Sequence, residues 1–106
     1  MTEISLPIAC TLNPTEMPQR AEEIGALGRD GLLGVERGER QVSLRFQRDP
    51  AIRRRVEGIV AAESRCCGFL DFTVSDGEDA TVLTIAAPAG AEPVMHELAD
   101  LFAKTR

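Results

Sequence analysis

The chain has no tryptophan and no tyrosine, and only four phenylalanines, one histidine and three cysteines among 106 residues. It also lacks a basic excess: the formal net charge is -5 and the sequence pI about 4.8. Nucleic-acid binding needs a cationic surface and aromatic stacking platforms, so this composition argues against it. Apolar runs reach only a handful of residues, too short for a membrane-spanning helix. The opening Met1-Thr2-Glu3-Ile4-Ser5 has no basic patch followed by an apolar stretch, so no secretory signal is read there. With 43% apolar and 27% charged residues the chain falls in the ordinary globular range. Its length suits one domain over residues 1–106.

Three cysteines cannot all pair with one another. Two of them, Cys66 and Cys67, are neighbours, and a disulfide between adjacent residues is strained. Free thiols without a secretory signal are expected in reducing cytoplasm. They serve there as buried apolar residues, redox groups or ligands for a soft ion.

The hydrophobic pattern predicts the element order β-α-β-α-β-β-α, an α+β domain with a roughly four-stranded sheet and helices mainly on one face. Ile4, Leu6, Ile8, Cys10 and Leu12 alternate as a first strand, with Pro7 favouring an edge. A helix is expected from about Pro18 to Glu36, on the spacing of Met17, Ala21, Ile24, Gly28, Gly31, Leu32 and Val35. Gly25, Gly28, Gly31 and Gly34 would weaken it, so either close approach of the helix to a sheet or a break near Gly31 or Gly34 is required. These glycines lack the preceding strand and Lys-Ser/Thr ending of a phosphate loop, so neither nucleotide nor flavin is indicated. Val42, Leu44 and Phe46 mark a half-buried strand, and Asp49-Pro50 marks the start of a second helix ending near Gly68. A hairpin follows, turning at Asp76-Gly77-Glu78-Asp79. The last helix, Glu92–Ala103, should bury Val94, Leu98, Leu101 and Phe102.

On the second helix Ile52, Val56, Ile59 and Val60 form the core-facing stripe, and the same count carries Glu63, Cys66 and Cys67 into it. A carboxylate and two thiols at i, i+3 and i+4 on an inward face need a reason, because burying a charge is costly. The bland reason is that Glu63 bends to solvent at the sheet rim or pairs with an arginine such as Arg45. The chemical reason is that Glu63 works with the thiols as ligand, proton acceptor or proton donor.

Thiolates prefer soft or borderline ions such as Hg(II), As(III), Cu(I) and Zn(II). Adjacent cysteines fit a structural zinc tetrahedron poorly. His96 falls opposite the apolar stripe of its helix and reads as a solvated residue. The expected ligand set is therefore Cys66, Cys67 and Glu63, with Cys10 joining if its strand lies under the helix end. Without a metal, a helix C-terminus disfavours thiolate formation, and the Cys-x-x-Cys spacing of thioredoxin-like sites is missing. Thiol-dependent redox or protonolysis catalysis by Cys66 or Cys67, with Glu63 shuttling a proton, is the alternative. A third reading is a small structural or partner-binding domain with merely buried cysteines, in which Arg53, Arg54 and Arg55 meet an acidic partner. An open edge strand and modest core are also compatible with a homodimer.

The run Ala61-Ala62-Glu63-Ser64-Arg65-Cys66-Cys67-Gly68-Phe69-Leu70-Asp71-Phe72, with Ala9-Cys10-Thr11-Leu12 upstream, resembles a group of short bacterial proteins that share a Glu-x-x-Cys-Cys motif. That resemblance spans nearly the whole chain and implies no activity. The set of cysteines plus a carboxylate is similar in chemistry alone to organomercurial lyases, whose motifs are not matched. In that light the soft-ion reading points to mercury or metalloid resistance.

Overall fold

The computed structural model describes residues 16–66 and 68–103, apart from the side chains of residues 16–20 and 66. Seven elements follow one another: α1 (Glu16–Gly31), β1 (Leu32–Arg37), β2 (Gln41–Gln47), α2 (Pro50–Cys66), β3 (Asp71–Asp76), β4 (Ala80–Ala86) and α3 (Glu92–Ala103). The four strands form one antiparallel sheet in the order β1-β2-β4-β3. This is an α+β fold made of two hairpins joined through their inner strands. The strand expected over residues 4–12 lies outside the described residues.

Alternation on β2 sets the polarity of the sheet. Val42, Leu44 and Phe46 are buried, while Arg45 and Gln47 are exposed. The register places Ile85, Leu83 and Thr81 of β4 beside them, and Phe72 and Val74 next along on β3. The three helices cover this apolar face, giving a continuous core from Ile24 and Leu27 of α1 to Phe102 of α3. Phe46 and Phe102 meet edge to face at 5.7 Å between ring centroids, the arrangement favoured by the aromatic quadrupole.

The first predicted helix runs too long. It stops at Gly31, and residues 32–37 form β1, the outermost described strand beside β2, without an intervening loop. A bulge between Leu32 and Gly34 explains the misreading. With one extra residue, Leu33, inserted, Leu32 opposite Phe46 and Val35 opposite Leu44 face the helices although they are three apart. A bulged strand thus reproduces the helical spacing. For the glycines the break holds, whereas the close approach expected to a sheet is made to another helix instead. A Cβ on Gly28 would lie 1.8 Å from the Phe102 carbonyl oxygen, so α1 and α3 approach closely there, and the helix break falls at Gly31.

The other elements fall near their expected places. Asp49 caps α2, its Oδ1 accepting from the amides of Ala51 (2.8 Å) and Ile52 (3.4 Å). In the β3–β4 hairpin the Gly77 amide donates to the Ala80 carbonyl at 2.7 Å, leaving Glu78 and Asp79 at the tip. On α3 the core side includes Met95 and Ala99, which the spacing argument overlooked, whereas Leu101 is only half-buried. No described helix is long and apolar enough to cross a membrane.

Candidate functional site

The site is built on the tail of α2. The Asp49 cap fixes where this helix starts, and Ile52, Val56 and Ile59 fix its rotation by entering the core. One turn after Ile59 the same stripe reaches Glu63, which is 5% exposed. Glu57, Ser64 and Arg65 lie outside the stripe and are exposed, as the helical count requires. Cys66 is the last residue of the helix. The side chain of Cys66, together with Cys67 and Cys10, lies outside the described residues. Among the described residues, no group of three or more histidine, cysteine or acidic side chains is placed to hold a metal ion.

Glu63 does not bend to solvent, which removes half of the bland account. Arg45 does not serve as its partner either. The side chain of Arg45 is exposed and projects from one face of the sheet, between Gly34 on β1 and Val82 on β4, while the described helices lie on the other face. A Cβ on Gly34 would sit 3.0 Å from the Arg45 guanidinium.

The chain leaves α2 through Gly68 and Phe69 before Leu70 re-enters the core at 4% exposure. Gly68 was expected to stop the helix, and the helix ends two residues before it, at Cys66. Phe69 stays 37% exposed, one of two large apolar side chains so placed among the described residues; the other is the bulge residue Leu33.

Beside the site runs a groove of about 500 Å³ between α1 and α2. Glu23 and Ala26 line it from α1, and Arg55, Gly58, Ile59 and Ala62 from α2. The two helices run antiparallel along it. Arg55 pairs with Asp30 at 3.0 Å at one end, and Glu23 and Ala62, each about two turns further along, lie at the other.

The arginine run and the histidine have structural employment. Arg53 bonds Glu57 at 2.8 Å and Asp76 at 2.5 Å, and these acids hold its guanidinium more firmly protonated than usual, Glu57 contributing most. With Arg55 paired to Asp30, two of the three arginines are held by acids of this chain. His96 is not simply solvated. It is half-buried, and its Nδ1 lies 3.2 Å from Arg37, whose other terminal nitrogen donates to Asp100 at 2.6 Å. The clasp ties β1 to α3. The sequence argument missed it because Arg37 is far from both partners along the chain.

Comparison of the chain with protein-family models, curated proteins and solved structures finds no match.

Proposed function

We propose that this protein captures a soft metal or metalloid ion, Hg(II), As(III) or Cu(I) above the borderline Zn(II), through the thiolates of Cys66 and Cys67, with Glu63 at their side. Cys10 is a candidate third sulfur. The observation that supports this reading is the burial of Glu63 at the tail of α2. Burial of a carboxylate is expensive whatever its partner. Here it falls three and four residues before two cysteines, on the inward stripe that Ile52, Val56 and Ile59 otherwise fill with apolar side chains.

The chemistry follows from the charges. Each thiol loses a proton on binding, so affinity rises with pH toward the ordinary thiol pKa of about 8.5. Glu63 either accepts such a proton or completes the ligand set. The C-terminal end of a helix opposes an isolated thiolate, and a bound cation reverses that penalty. The same dipole weighs against the thiol-enzyme alternative, which needs a depressed thiol pKa with no ion present. Cysteines held reduced are consistent with a cytoplasmic location.

Titrating the reduced protein with Hg(II) or As(III) while following thiolate charge-transfer absorbance tests the reading. One equivalent should saturate the band, Glu63→Gln should weaken binding, and Cys66→Ser with Cys67→Ser should abolish it. A band absent from the native protein, or unchanged in the double variant, overturns it.

A further inference from the structure

An arginine can only donate, because its guanidinium keeps its proton and offers no lone pair. The 3.2 Å contact between Arg37 and Nδ1 of His96 is therefore a hydrogen bond only if Nδ1 is the bare nitrogen of a neutral ring, with the proton on Nε2. Protonating the ring sets an N–H against an N–H and one cation against another. The charged groups gathered round it are Arg37 of β1, Arg40 just before β2, and Glu92 and Asp100 of α3. Both acids are one helical turn from His96, Glu92 before it and Asp100 after it. In the neutral arrangement Asp100 is held by Arg37 at 2.6 Å.

We propose that the Arg37–His96–Asp100 clasp is a proton-operated latch between β1 and α3. With a neutral imidazole, Arg37 bridges the strand to both side chains of the helix, and the latch is closed. Proton uptake by His96 breaks the bond from Arg37 and gives the ring two donors for Asp100 and Glu92. Pairing within α3 then replaces pairing between α3 and the sheet, and Arg37 is released. The latch is thus closed above the pH range in which an imidazole titrates and opens as pH falls through it. The strand end it frees leads into the β1–β2 turn, where the Gly38 amide donates to the Gln41 carbonyl at 2.7 Å. The β3–β4 turn has a matching bond from the Gly77 amide to the Ala80 carbonyl, also 2.7 Å, in a hairpin without a histidine.

NMR reads both halves of the proposal. In mildly alkaline solution the ring nitrogen shifts of His96 should report a bare Nδ1 and a protonated Nε2. Amide exchange of Gly38 is expressed relative to that of Gly77, so that the direct effect of pH on exchange cancels. This ratio should rise about two- to fivefold between about pH 8 and about pH 5, the size expected of an exposed charged contact. His96→Asn puts a side-chain oxygen that takes up no proton where Nδ1 stands, and should hold the ratio at its alkaline value throughout. A native ring protonated on Nδ1 in alkaline solution, a ratio that does not respond to pH, or a response that persists in His96→Asn overturns the latch. The ring shifts are read on the native chain, so the proposal is tested whether or not the variant folds.

Discussion

Helix α1 meets α3 along one flank and α2 along the other, and the two contacts differ in kind. Against α3 the fit is so close that Gly28 has no room for a methyl group beside the Phe102 backbone. Against α2 the contact leaves a groove of about 500 Å³, over which Gly58 looks into open space. Glycine thus serves two purposes in one layer of helices. On the first flank it permits an approach that secures the core, and on the second it leaves a surface unfilled. The tight flank carries the fully buried Phe102, and the loose flank is lined by Ala62, the residue before the buried Glu63.

That contrast can be broken from either side. The largest effect is expected from Phe102→Ala, which removes a fully buried ring and the edge contact to Phe46. Unfolding in urea should show a loss of about 3–5 kcal/mol; a loss below about 1 kcal/mol would mean that the α3 flank is not the stable one. Gly28→Ala forces a methyl group against the Phe102 carbonyl and should cost about 1–3 kcal/mol in the same assay. Asp49→Ala removes the α2 cap and should cost about 1 kcal/mol, read as a lower urea midpoint at unchanged slope. Gly58→Ala should have the opposite sign to Gly28→Ala. With open space above it and helix around it, alanine is expected to stabilise by up to about 1 kcal/mol. Should both glycines respond alike, the two flanks are not built differently.

The smallest effect concerns the entry to α3. Backbone amides, including that of Gly90 at 2.8 Å, hold the Glu92 carboxyl below its ordinary pKa, with Arg40 and His96 adding to the pull. A carboxylate depressed in the folded state contributes stability above its unfolded pKa and loses it as pH falls through the folded value. Glu92→Gln should therefore leave unfolding midpoints almost unchanged in strong acid and lower them slightly at neutral pH. Equal shifts at both ends would show that the amide contacts do not favour the charged form.

Much of the fold was legible because local chemistry and periodicity agree. Asp49-Pro50 announced α2, and the alternation of Val42, Leu44 and Phe46 announced a half-buried strand. Residues 32–37 were misread because the bulge at Leu33 gives a strand the three-residue spacing of a helix, a feature that depends on pairing with β2. Met95 was overlooked because three helices on one face bury a wider arc than a single stripe suggests. For the site, the helical count correctly turned Glu63 inward. It was silent on the groove, because a gap between α1 and α2 depends on how distant segments pack.

X-ray absorption at the arsenic edge, on reduced protein loaded with one equivalent of As(III), tests the account most directly. At least two sulfur neighbours should surround arsenic, with the sulfurs absent in the Cys66→Ser, Cys67→Ser variant. An arsenic coordinated by oxygen alone, or a sulfur shell that survives that double substitution, would contradict it.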